Sequence, residues 1–332
     1  MSLKRVLLLL PALLLTAQAQ VSIKAERVSD QPLLKPDLPW AGKGLFNPAV
    51  IQVGGKTILL FRARDGRNTS RIGYAESSDG VRFIENPQPV LAPETEYEKG
   101  GGVEDPRLVK IGGTYYLTYT GYNIRDAQLC LAVSNDLKHW ERKGVIMPAN
   151  KGSWNTQWTK SGAILPEKVN GKWWMYYLGT STGTDGVLRD KMGLAVSDDL
   201  LHWSDATSKP VLDVRLHAFD SRVMEPGPPP ILTEAGILLL YNGADDNLVY
   251  RPAWVLFDRN DPSHVIARAE EGFMEPKLEW ERVGVVPNVI FLEGAIPRLR
   301  GRHIEVMGYY GAADKYVGAM RIHIDLAPLL RE

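Results

Sequence analysis

Short apolar and aromatic runs, each broken by Gly, Asn or Asp, recur along most of the chain. One unit reads Tyr115 to Gly121, then Leu129 to Leu137 and His139-Trp140; the next reads Trp173 to Gly179, then Met192 to Leu200 and His202-Trp203. An earlier copy holds Thr57 to Ala63, Ile72 to Gly80 and Phe83, and two later ones hold Leu238 to Gly243 and Val306 to Gly311, the last followed by Tyr316 to Ala319. Runs of this length, rich in β-branched and aromatic residues and bounded by turn formers, predict strands, and no long helical periodicity lies between them. One small sheet cannot bury both of its faces alone, so a strand-only unit repeated at this spacing predicts blades stacked around an axis. Five copies predict an all-β, five-bladed β-propeller. The repeated Ser-x-Asp-Leu-x-x-Trp segment predicts a turn closed by an Asp side chain, with its Trp packed between blades and not on a ligand.

Composition narrows the function. The chain has 332 residues, 44% hydrophobic and 23% charged, with a formal net charge of +0, as expected of a globular protein. No tract of Lys or Arg forms the electrostatic footprint of a nucleic-acid binder, so neither nucleic acid nor an anionic membrane surface is an expected partner. Lys4 and Arg5 precede the apolar stretch Val6 to Leu15, and Ala17-Gln18-Ala19 has the small-x-small pattern of a signal-peptidase site. Residues 1–19 are therefore expected to be a signal peptide, and residues 20–332 a single propeller domain. The expected product is exported, periplasmic or extracellular, with no membrane insertion after cleavage, because the apolar stretch is too short to span a bilayer. The sole cysteine, Cys130, lies in an apolar run and offers no intrachain disulfide. It is expected to act as a small buried hydrophobe.

Candidate chemistry centres on Val103-Glu104-Asp105-Pro106-Arg107, which sets two carboxylates and a guanidinium around a proline. A proline belongs at the first residue of a strand, which predicts Asp105 at a strand mouth. Gly100-Gly101-Gly102 before it predicts a backbone that leaves room for a ligand. Metals and cofactors find no support: the histidines are scattered, no Cys-x-x-Cys or His-x-x-x-His pattern occurs, and Asp245-Asp246 lacks the spacing of a calcium loop.

These residues resemble glycoside hydrolase family 130, five-bladed propellers that act on β-mannosides. The resemblance rests on Gly102 to Arg107, on Ser161 to Glu167, on Gly227-Pro228-Pro229-Pro230 with Thr233 and Gly236, and on Tyr309 to Asp314. It covers nearly the whole chain after the signal segment. The family contains phosphorylases and hydrolases. The phosphorylases bind phosphate with a Lys before the Gly-Pro-Pro-Pro run and a His in a Tyr-His-Gly strand; here those places hold Glu225 and Asn242, and Phe291-Leu292-Glu293-Gly294 adds an acid that is similar to the hydrolytic members. Cations suit a phosphate dianion and a carboxylate base suits a water.

The resemblance therefore implies inverting hydrolysis of an oligosaccharide of the β-1,2-mannoside type, with Asp105 as general acid acting through a sugar hydroxyl. Glu225 and Glu293 hold and deprotonate the water, and the sequence leaves open which of them is the base. Inverting enzymes keep such groups roughly 6.5 to 9.5 Å apart. Asn47, Arg62, Arg64, Glu104, Arg107, Lys160 and Asp314 are the expected substrate-binding residues, with Glu104 orienting Arg107. For Arg64 and Arg107 an ion pair that fixes a loop is the competing reading. Three rival functions stand beside this one: a β-mannoside phosphorylase of the same family, an arabinan- or xylan-type five-bladed hydrolase, and a non-catalytic glycan-binding propeller.

Overall fold

The computed structural model describes residues 21–326, so the expected signal peptide lies outside the described residues. Each repeat folds into an antiparallel sheet. Blade 1 runs Gly44–Val53, Lys56–Arg64, Ser70–Ser77 and Ile84–Glu85. Blade 2 runs Gly102–Ile111, Thr114–Tyr122, Ala127–Ser134 and Glu141–Met147, and blade 3 runs Thr159–Ile164, Trp173–Thr182, Leu188–Ser197 and Ser204–Asp205. Blade 4 is Val223–Pro226, Ile237–Ala244, Tyr250–Phe257 and Val265–Arg268. Blade 5 is Ile290–Arg300, His303–Ala312 and Tyr316–Leu326, and its fourth strand is the N-terminal Val21–Arg27. The repeats thus form the expected five-bladed propeller.

Apolar clusters fill the gaps between blades, as expected of sheets that cannot bury their faces alone. Between blades 3 and 4, for example, Tyr176 stacks on Phe257 with ring centroids 4.5 Å apart. Corresponding clusters lie between blades 1 and 2, 2 and 3, 4 and 5, and 5 and 1. Cys130 is fully buried in one of them. The Ser-x-Asp turns close as expected. Asp136 Oδ1 accepts from the backbone of Lys138 and His139, Asp199 Oδ1 does the same for Leu201 and His202, and the indoles of Trp140 and Trp203 donate to Leu137 and Leu200.

The first strand of each blade faces the axis, and four of these strands skip register. The skips fall between Phe46 and Pro48, Glu104 and Arg107, Lys160 and Ala163, and Leu292 and Gly294. Three of the extra residues take left-handed backbone: Asn47 at φ 51°, Asp105 at φ 51° and Ser161 at φ 59°. A bulge bends the strand and re-aims side chains, and it is one of the few places where a sheet tolerates proline. Asp105 and Pro106 accordingly lie within Gly102–Ile111 and not at a strand mouth, which corrects the sequence expectation. The preceding glycines also have a different task. Gly102 pairs in parallel with Ser70 of blade 1 at φ 107°, where a Cβ would stand 2.2 Å from the Ser70 carbonyl oxygen. Gly101 lies as tightly against Tyr122. Gly102 lets blades 1 and 2 touch, and Gly101 lets the chain lie close on Tyr122 of its own blade, so their task is close packing of the protein itself.

Candidate active site

The bulges arrange the polar residues in two rows. The positions paired with the second strands at Arg62, Thr120, Leu178, Asn242 and Tyr310 are Phe46, Glu104, Lys160, Glu225 and Leu292. The next residue in each strand is Asn47, Asp105, Ser161, Pro226 and Glu293. Repeat symmetry thus delivers one or two polar side chains per blade to one level of the axis. All three expected catalytic acids come together there with Asn47, Arg62, Glu104, Arg107 and Lys160 of the expected sugar-binding residues.

Blades 1 and 2 build one half. Asn47 Nδ2 donates to Asp105 Oδ1 over 2.8 Å and Arg62 Nη1 donates to the same oxygen over 3.0 Å, while Arg62 Nη2 reaches Glu104 Oε1. Ser70 Oγ also donates to Glu104 Oε1, over 3.0 Å. Burial drives the Asp105 carboxyl upward, but Arg62, Lys160 and Arg107 outweigh it and hold Asp105 below the usual carboxylate range. Glu104 moves the other way: burial and Asp105 raise it against the pull of Arg62 and Lys160. Its partner is therefore Arg62, not Arg107 as expected.

Arg107 crosses the axis instead. It is 1% exposed, and it donates from Nη2 to the Pro226 carbonyl over 2.7 Å and from Nε to Gly227 over 3.3 Å. The same guanidinium lies 3.7 Å from Glu225 Oε1 and 3.4 Å from Glu293 Oε1. These contacts are those of an ion pair, made with blade 4 and two acids and not with a loop. Glu225 also accepts from Ser161 Oγ. Burial raises the Glu225 carboxyl, opposed by Lys160 and Arg107.

Glu293 is 0% exposed, and neither of its oxygens has a hydrogen-bond partner. Burial pushes its carboxyl well above the usual range; Arg107 opposes this, and Asp105 and Glu225 add to it. Asn242, the place where a phosphorylase histidine is expected, grips the backbone beside it: Nδ2 donates to the Leu292 carbonyl over 2.9 Å and Oδ1 accepts from the Leu292 amide over 2.8 Å. This residue sets where Glu293 points.

At the rim, Asp314 lies in the turn after His303–Ala312. Its carboxyl is pushed up to about 6 by burial and by Asp105, against Arg62 and Arg64. The Arg64 Nε has no partner. Lys160 is half-buried with its Nζ 5.4 Å from the centre of the Trp158 ring, and although burial would lower it, the acids Asp190, Glu225, Asp105 and Glu104 hold it raised. Sequence reading missed Ser161, Ser70, Asp190 and Tyr250, whose phenol lies in the field of Glu225, Asp190, Asp314 and Asp105. Aligning the first strands by their bulges would have found Ser161; nothing in the sequence signals Tyr250. Among the described residues no group of His, Cys, Asp or Glu is placed to hold a metal ion.

Comparison with known proteins places the chain in a family. The family model described as β-1,4-mannooligosaccharide phosphorylase matches residues 26–328. A 1,2-β-oligomannan phosphorylase of Thermoanaerobacter is 40% identical over 308 residues, covering 89% of this chain and 96% of that one. A solved putative glycosidase from Bacteroides thetaiotaomicron superposes with a TM-score of 0.78 at 31% identity, over 90% of this chain and 96% of its own. Another solved chain, from work on family 130 hydrolases that target β-1,2-mannosidic linkages in Candida mannan, gives a TM-score of 0.77 at 31% identity, over 97% and 99%. The chain belongs to glycoside hydrolase family 130, the mannoside-active phosphorylases and hydrolases.

Proposed function

We propose that the protein is an exported glycosidase that hydrolyses β-mannosidic linkages, β-1,2 foremost, with inversion at the anomeric carbon. The observation that supports water over phosphate is Glu293. Its carboxyl is buried without a partner and is already driven toward its neutral form by the low dielectric and by its neighbours. A phosphate dianion beside it would meet the same environment. A water molecule, being neutral, meets no such cost and can both accept from and donate to the carboxyl. Two of the cations that a phosphate would need are engaged: Arg62 by Glu104 and Asp105, Arg107 by two carbonyls and two glutamates; Lys160 and Arg64 make no ion pair with these acids.

Asp105 then protonates the departing oxygen through a sugar hydroxyl, while the glutamate pair holds and deprotonates water on the opposite face. Asn47, Arg62, Arg64, Glu104, Lys160 and Asp314 bind the mannosyl residue. The shifts run against these roles: Asp105 is held below the usual carboxylate range, Glu225 is raised and Glu293 is well raised. The productive form, with Asp105 protonated and one glutamate ionised, therefore places its proton against those shifts. Because the acids titrate as a coupled set, the rate still follows a bell-shaped pH profile whose limbs belong to the set. Export rests on Lys4-Arg5, the Val6 to Leu15 stretch and Ala17-Gln18-Ala19.

The phosphorolytic alternative draws support from the 40% identical Thermoanaerobacter relative. Incubation with β-1,2- and β-1,4-mannobiose, with and without phosphate, separates the two. Mannose released at the same rate without phosphate, first seen by NMR as the α-anomer, is the expected result. Mannose 1-phosphate formed only when phosphate is added would overturn the proposal.

A further inference from the structure

At the bulge position where blades 1, 2 and 5 carry Asn47, Asp105 and Glu293, blade 3 carries Ser161. The reaction as derived gives it no task. Ser161 is fully buried, its backbone is left-handed at φ 59°, and its single hydroxyl proton is directed at Glu225 Oε1. A non-glycine residue is uncommon in that conformation, and glycine would adopt it at less cost. The hydroxyl is what serine adds.

We propose that Ser161 is a positioning residue: its hydroxyl fixes the rotamer of Glu225, occupies Oε1, and leaves Oε2 as the oxygen that holds the attacking water. The water rests on the hydrolytic reading above; the Ser161 to Glu225 bond does not. A hydrogen bond donated to a carboxylate favours the ionised form. The other groups facing Glu225 are Lys160 on blade 3, Arg107 and Asp105 on blade 2, Tyr250 on blade 4 and Glu293 on blade 5. Lys160 and Arg107 also favour the ion, while burial and Asp105 oppose it. Ser161 is thus one of three groups, two of them contributed by the same bulge, that keep Glu225 able to ionise.

The test pairs two substitutions. Ser161→Gly keeps the backbone and removes the hydroxyl; Ser161→Thr keeps a hydroxyl and burdens the backbone with a β-branched residue. Carboxyl carbon NMR of the whole protein, with the Glu225 signal identified by its loss in Glu225→Gln, reads the titration directly. The pH profile of mannobiose turnover reads its consequence.

In Ser161→Gly the Glu225 titration is expected to move up by about one pH unit, the size of one hydrogen bond to a charge. The acidic limb of the profile moves with it, and kcat falls about tenfold with KM little changed. Ser161→Thr retains the wild-type titration. An unmoved Glu225 signal in folded Ser161→Gly overturns the proposal, as does an equal shift in Ser161→Thr, which would assign the effect to the backbone. Ser161→Ala, read in the same way, serves if glycine loosens the strand. Should the wild type turn over only with phosphate, the water assignment falls while the titration still decides the hydrogen bond.

Discussion

Buried glutamates occur in two settings in this propeller, and their fates are opposite. Glu98 and Glu281 sit under the loops that enter blades 2 and 5. Glu281 accepts from Arg27 on both oxygens, from the Tyr310 hydroxyl, and from the amides of Lys277 and Leu278. Glu98 has the same set in Arg142, Tyr119, Glu94 and Thr95. Burial pushes both carboxyls upward, but the arginine and the amides more than offset it, and both end below their ordinary value. Glu293 on the axis is as closed to solvent but lies deeper in the protein, has none of those bonds, and ends well above it. Depth of burial and the donors around the carboxyl set its protonation together. The loop glutamates have a full set of protein donors, whereas the axial one has none among the described residues.

The comparison can be broken by experiment. The largest effects belong to the axis: Asp105→Asn and Glu293→Gln should each lower mannose release by about 10²–10⁴-fold, as loss of a general acid or base does. Residual activity near wild type in either would remove that residue from the mechanism. Next comes Glu281→Gln, which leaves the half-buried Arg27 without its counter-charge and the buried carboxyl's donors mismatched, and should destabilise the fold by about 1–3 kcal/mol in urea unfolding.

The same substitution at Glu293 should stabilise, by about 0.5–2 kcal/mol at neutral pH, since it removes a site held in a strained state for function. A Glu293→Gln protein less stable than wild type would dissolve the contrast.

The smallest and sharpest effect is in the pH dependence. A depressed carboxyl such as Glu281 contributes stability that is present above the unfolded value of about 4.3 and lost as pH falls through its lower folded value. A raised carboxyl such as Glu293 does the reverse: the folded state binds the extra proton, so stability falls as pH rises from about 4.3 through the raised value. Asp314 behaves likewise, over a window that closes at about 6. Unfolding curves at several pH values should therefore show the Glu293→Gln gain growing with pH and the Glu281→Gln deficit shrinking in acid.

The second strands of the blades, and the third strands of all but blade 4, were legible in the sequence because their aromatic and β-branched residues pack between blades on both faces. The first strands were harder to read. Their bulges place consecutive polar residues, Glu104-Asp105 and Lys160-Ser161, where alternation predicts one residue in and one out. That is why Asp105 was expected at a strand mouth and Ser161 went unmarked. The acids and arginines of the site were legible through resemblance, since their neighbours form local motifs. Tyr250 was not, because it opens a strand whose approach, Asp245 to Val249, reads as a loop. The closing strand Val21–Arg27 was missed too: its partner lies at the other end of the chain.

That pairing runs from Val21 with Leu326 to Arg27 with Met320. It makes the order of emergence a property of the fold. The first strand comes out early and has no partner until about 300 residues more have followed it. During that interval it is an exposed edge, able to pair with a stranger. A circular permutant that joins the native ends and opens the chain between two other blades would make this pair adjacent in synthesis, turning the last contact of the ring into one of its first.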